Sequence, residues 1–161
     1  MSKGMKPKVY LETSVISYLA SRPSRDLIVA ANQQLTQEWW HLRRQDFDLF
    51  ISQLVIQEAS AGDEDAARRR LQVVANIPLL TLNEETVAFA ERLIKEGPMP
   101  QKAVEDALHI AVATLHGMDY LLTWNFRHIA NATMRYKIER ICRLTGYEPP
   151  IICTTQELLE E

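Results

Sequence analysis

The sequence predicts an α/β fold, a three-layer α/β/α sandwich around a central parallel sheet of four to five strands. Three observations lead there. Short apolar, β-favouring runs alternate with segments of helical periodicity, and strands separated by helices pair in parallel through right-handed crossovers. No internal repeat or long linker interrupts the 161 residues, so the whole chain, 1–161, is expected to form one domain. A hydrophobic share of 47% with 24% charged residues fits an ordinary globular core and argues against disorder or a coiled coil.

Lys8-Val-Tyr-Leu11 reads as the first strand, running into Glu12-Thr-Ser, where Thr13 or Ser14 is a candidate cap for a helix around Val15–Leu19. Beyond Arg22-Pro23-Ser24, the spacing of Leu27, Ala31, Leu35, Trp39 and Leu42 predicts a long amphipathic helix to about Arg44. Phe47 to Ile51 is the second strand. Leu54–Ala59 and Asp63–Asn76 read as helices, the second with acids early and Arg68-Arg69-Arg70 on what reads as a solvated face. Pro78–Leu82 is a third strand, followed by a helix capped by Asn83 and stopped by Gly97. Gln101–His116 is helical, Asp119–Thr123 is a fourth strand, and Thr133–Thr145 a further helix. Ile151–Cys153 is a last short strand, with a helical turn expected near Gln156.

Composition excludes several classes. No run of about 18 apolar residues exists, and the basic start Met1–Lys8 leads into no hydrophobic signal region, so a cytoplasmic protein with no membrane association is expected. Cys142 and Cys153 show no C-x-x-C spacing and read as reduced thiols. The net charge of -3 gives no overall basic footprint, yet Arg127, Arg135, Lys137, Arg140 and Arg143 stand against the single Glu139 between Arg127 and Arg143.

In open parallel sheets, ligands bind beyond the carboxyl ends of the strands. Glu12 follows the first strand and Asn125 the fourth. A lone Glu in such a place is often a solvent-facing loop acid, but Thr13 and Ser14 beside it line a hydroxyl-rich turn suited to phosphate contact. On the helix after Gln101, Val104, Ala107, Leu108, Ala111 and Leu115 form an apolar stripe, with Gln101, Lys102, Glu105, His109 and His116 on a polar arc. Asp106 falls outside that arc, beside Ile110 and Ala113. A carboxylate so placed needs a cation, a metal or several hydrogen bonds, and an arginine partner is the structural alternative. Glu58 lies on the short helix after the second strand. Together Glu12, Glu58, Asp106 and Asn125 come from four elements, and clustered acids of this kind suit Mg²⁺ or Mn²⁺. His41, His109, His116 and His128 make no H-x-x-x-H or H-E-x-x-H pair and are read as surface or helix-polar residues, with His128 beside Arg127 able to face a substrate.

Four segments carry a resemblance: Val-Tyr-Leu-Glu-Thr-Ser, Phe-Ile-Ser-Gln-Leu-Val-Ile-Gln-Glu58, Ala-Val-Glu-Asp106-Ala-Leu-His-Ile-Ala, and Asp-Tyr-Leu-Leu-Thr-Trp-Asn125-Phe-Arg-His. In this order and spacing they resemble the PIN-domain family, including its VapC-type toxins. The resemblance spans Val9 to Cys153. It departs from the family at Glu12, where Asp is usual, and at Asn125, where many relatives carry Asp. It implies a Mg²⁺- or Mn²⁺-dependent ribonuclease in which Glu12, Glu58 and Asp106 hold one or two cations that activate water beside an RNA phosphodiester. Asn125 supplies a neutral oxygen in that picture, and Thr13, Ser14, Arg127 and His128 contact RNA. An antitoxin partner and a homodimer belong to the same implication. Two other readings compete: a PIN-like domain that binds RNA or protein without cutting, and a receiver-like or haloacid-dehalogenase-like phosphoryl-transfer domain. The latter needs an Asp nucleophile at a strand end, where this chain has Glu12.

Overall fold

The computed structural model describes residues 5–159. Five strands, β1 (Lys8–Leu11), β2 (Asp48–Ser52), β3 (Leu79–Leu80), β4 (Tyr120–Leu122) and β5 (Ile151–Cys153), form one sheet in the order β3-β2-β1-β4-β5 with every pair parallel. The α/β class and five-strand sheet are those expected from the sequence. Val9, Tyr10 and Leu11 are completely buried, because β1 is the middle strand and is covered on both faces.

Among the described residues, seven α-helices connect the strands: α1 (Thr13–Ala20), α2 (Leu27–Arg43), α3 (Gln53–Ala59), α4 (Glu64–Val73), α5 (Glu84–Lys95), α6 (Val104–Leu115) and α7 (Ala132–Leu144). From β1 the chain winds outward through β2 to β3, then crosses back to β4 and on to β5. Right-handed crossovers moving in opposite directions put α1–α4 on one face and α5–α7 on the other. Accordingly α1 packs on α2, α3 and α4, and α5 packs on α6 and α7. The winding reverses between β1 and β4, which leaves a crevice at their carboxyl ends.

Local chemistry sets the boundaries. Asp26, Asp63, Asn83 and Asn131 each accept backbone N–H groups at the start of α2, α4, α5 and α7, and Asn83 completes a capping box with Thr86. Gly117 and Gly146, at φ +69° and +90°, end α6 and α7 in a conformation that L side chains rarely adopt.

Four expectations are corrected. The residue capping α1 is Glu12, with no side-chain capping bond, because the Thr13 and Ser14 hydroxyls turn to carboxylates instead. Gln101–Ala103 form a 3₁₀ turn ahead of α6, and the chain from Thr155 to Leu159 makes turns without a helix. Arg68-Arg69-Arg70 is not simply solvated. Arg69 Nε donates to Ala20 O at the end of α1 (3.1 Å), and Arg70 donates to Ala59 O and Ala61 O at the end of α3. Of the three, only Arg68 is exposed as expected, and it pairs with the likewise exposed Asp65. No helix among the described residues is long and apolar enough to cross a membrane.

Candidate metal centre

β1 and β4 are neighbours, so the residues leaving them are neighbours too. Glu12 N–H still donates to Leu122 O at 3.0 Å, extending the ladder by one residue. This places the Glu12 side chain beside Thr123 and Trp124, where it is only 6% exposed. Glu12 is therefore not a solvent-facing loop acid. Its Oε1 accepts the Thr123 hydroxyl at 2.6 Å and the Ser14 hydroxyl. Ser14 Oγ in turn accepts Trp124 N–H at 2.8 Å, and Thr123 Oγ1 accepts Asn125 N–H at 2.9 Å. Each hydroxyl thus has its proton committed to the carboxylate and its lone pair committed to the backbone.

Glu58 reaches the same place from the last turn of α3. Its Oε1 accepts the Thr13 hydroxyl and lies 2.7 Å from His109 Nε2. One ligand atom from each of Glu12, Glu58 and His109 lies within 4.8 Å of the other two. Neither Glu12 nor Glu58 is paired with a lysine or arginine among the described residues.

His109 is the principal correction to the sequence reading. It is fully buried, not on a polar arc, whereas Val104 of the expected apolar stripe is 46% exposed. α6 is buried from Ala107 through Thr114 except Leu108, because it lies between the sheet and α5, and a wheel with one apolar stripe fails for such a helix. His109 Nδ1 lies 2.7 Å from Tyr10 OH, which lies 2.8 Å from Ser52 Oγ. Burial lowers the affinity of His109 for a proton, but the Glu58 hydrogen bond and the charges of Glu12, Glu58 and Asp106 outweigh it, leaving its pKa above the ordinary value. Burial raises the Glu58 pKa, and the His109 bond and charge with the Thr13 bond bring it below the usual range. Tyr10 is held strongly upward by burial and remains a neutral phenol.

Asp106 has no arginine partner among the described residues. Its Oδ1 accepts Asn125 Nδ2–H at 3.0 Å, and its Oδ2 lies 2.8 Å from His128 Nδ1. Asn125 Oδ1 accepts the N–H groups of Arg127 and His128, both at 3.1 Å, so this amide clasps the turn after β4 to α6. The Arg127 side chain is exposed and makes no hydrogen bond among the described residues. The fold thus brings Glu12, Glu58, Thr13, Ser14 and His109 into one cluster, with Asp106, Asn125 and His128 in an adjoining one.

Residues 9–132 match the PIN domain family profile. The chain belongs to the PIN-domain family. Comparison with curated protein sequences gave no match. Among solved structures this PIN domain is similar to a chain of VapBC2 from Rickettsia felis, bound there to a DNA fragment from its promoter. The TM-score is 0.57 at 13% identity, covering 91% of this chain and 98% of that one, which marks a shared fold. Thr123, Tyr10 and His109 are the site residues that sequence reasoning missed. A tyrosine inside an otherwise apolar central strand signals a buried partner for its hydroxyl, and His109 stands three positions from Asp106, on the same side of α6.

The donor set fits a hard divalent cation. Glu12 and Glu58 each spend Oε1 on the protein and have no partner for Oε2 among the described residues. Two such oxygen-bearing acids in a half-buried crevice are a donor set suited to a hard divalent cation that keeps other coordination positions open.

Proposed function

We propose that this chain is a metal-dependent endoribonuclease, the toxin of a toxin–antitoxin pair. The observation that carries the reading is the convergence of Glu12, just past the end of β1, and Glu58, on the helix after β2, on one crevice beside His109, with no lysine or arginine paired to either acid among the described residues. Like charges so close are costly unless a cation joins them. The PIN family membership and the fold shared with a VapBC2 chain support the same reading.

In it, Glu12 and Glu58 hold Mg²⁺ or Mn²⁺, with Asp106 alongside. A cation bound there lowers the pKa of a coordinated water and neutralises charge on the scissile phosphate. The protein's own share is orientation. Ser14, Thr123 and Thr13 fix the carboxylates by hydroxyl donation, and Asn125 with His128 fixes Asp106. Arg127, exposed at the rim, is placed to meet RNA phosphates.

A second reading, a PIN domain that binds RNA or protein without cutting, draws on the clasp around Asp106. Both its oxygens already have protein partners, and Asn125 offers an amide where a further anionic ligand would strengthen metal binding. One experiment separates the two. Single-stranded RNA is incubated with Mn²⁺ and either the wild type or Asp106→Asn. The nuclease reading expects cleavage by the wild type, quenched by a chelator and abolished in the variant. An absence of turnover at micromolar enzyme with either metal favours the binder. For the toxin assignment, the test is whether the product of a short reading frame upstream of the gene co-purifies with this chain and suppresses cleavage.

A further inference from the structure

We infer that His109 is a positioning residue: a buried Ser52–Tyr10–His109 relay presents Glu58 to the metal, and His109 is not itself a ligand. The inference rests on the metal-site reading above and deepens it.

The direction of each hydrogen bond follows from the groups involved. A carboxylate only accepts, so the proton between His109 and Glu58 belongs to Nε2 of the imidazole, whatever the charge on the ring. The nitrogen nearest the acids is therefore occupied by a proton and has no lone pair to offer a cation. The other nitrogen, Nδ1, faces away toward the sheet and meets Tyr10 OH at 2.7 Å. Tyr10 comes from the central strand and is completely buried, and its hydroxyl also meets Ser52, the last residue of β2, which is equally buried. Both ring nitrogens are thus engaged, and the imidazole has no freedom to turn.

Glu58 needs such a support. It lies in the last turn of a seven-residue helix, and a glutamate has three rotatable bonds. Thr13 and His109 both grip Oε1, which fixes the plane of the carboxylate and leaves Oε2 without a protein partner. Polar groups that orient a ligating carboxylate in this manner hold it in place before the metal arrives. Tyr10 and Ser52 belong to neighbouring strands in the middle of the sheet and are completely buried, so Glu58 takes its position from the core of the fold.

The test is Mn²⁺ binding by calorimetry to the full chain and to His109→Ala, His109→Gln and Tyr10→Phe, with thermal melts to confirm folding. Support for a histidine-held carboxylate is typically worth about 10–100-fold in metal affinity, so His109→Ala is expected to weaken Mn²⁺ binding by that factor. His109→Gln retains an N–H donor and is expected to recover part of the loss. Tyr10→Phe removes the anchor of Nδ1 and is expected to fall between the wild type and His109→Ala. Electron spin echo spectra of bound Mn²⁺ in ¹⁵N-histidine-labelled protein are expected to show no directly coordinated nitrogen. Folded variants with wild-type affinity, or a nitrogen coupling of a bound imidazole, overturn the inference while leaving the metal site standing. A wild type that binds no Mn²⁺ overturns both.

Discussion

Thr123 Oγ1 lies 2.6 Å from Glu12 Oε1, joining the ends of two neighbouring parallel strands through a side chain rather than through the ladder. The same hydroxyl accepts Asn125 N–H, so one small residue orients a buried acid and begins the turn that carries Asn125, Arg127 and His128.

Thr123→Val keeps the shape and removes both bonds. Loss of a partner from a buried group costs about 1–3 kcal/mol, and that decrease is expected in urea unfolding without metal. Unfolding midpoints indistinguishable from those of the wild type would show that water replaces the hydroxyl at no cost.

Glu12→Gln separates charge from shape. The amide oxygen still accepts from Ser14 and Thr123, while one of two acids whose ligand atoms lie within 4.8 Å becomes neutral. Relief of that repulsion, about 3 kcal/mol between unit charges at an effective dielectric near 20, offsets the disturbance. The variant is expected to melt no lower than the wild type without metal. Its Mn²⁺-induced rise in Tm is expected to vanish, where a metal at 100 times its Kd stabilises the wild type by about 2.7 kcal/mol. An undiminished rise would remove Glu12 from the ligand set.

Neighbouring arginines of α4 are expected to differ in worth. Arg70 donates to two carbonyls at the end of α3, and Arg68 makes an exposed pair with Asp65. Chemical denaturation should show Arg70→Met destabilised by about 1–2 kcal/mol. Arg68→Met should stay within about 0.5 kcal/mol. Equal effects would contradict the capping role.

Burial, with Glu157 adding to it and Arg135 opposing it, pushes the Cys153 thiol up to about 12, and burial also raises Cys142. Iodoacetamide at pH 8 is expected to label neither at an appreciable rate in the native protein and both rapidly in urea. The folded value exceeds the unfolded one, so this contribution to stability is complete below about pH 8.5 and is lost as pH rises from there toward 12. Rapid native labelling would show that β5 opens easily.

The sheet and most helix limits were legible because they depend on local signals. β1 is an apolar run ended by a polar triplet, and α5 opens with Asn83 and stops at Gly97. Glu12, Glu58 and Asp106 were legible as acids at strand ends or on a mixed helix face. The partners that hold them were less so. His109 was hidden because α6 is buried on several sides, and a histidine facing the sheet there looks polar on a wheel. Arg69 and Arg70 were misjudged because the carbonyls they serve lie outside their own helix, at the end of α1 for Arg69 and at and just past the end of α3 for Arg70, where helical periodicity does not show them. Thr123 contributes only through its neighbour across the ladder, and no periodicity records that.

The placement of β1 at the centre of the sheet also governs when the crevice comes into being during synthesis. Glu12 leaves the ribosome well ahead of its partners, because Thr123, Trp124 and the β5 strand that flanks β4 are made more than a hundred residues later. A nascent chain halted before that point carries its first acid with Ser14 alone to aim it. The chain therefore acquires its full arrangement of acids only after the fourth strand has been made.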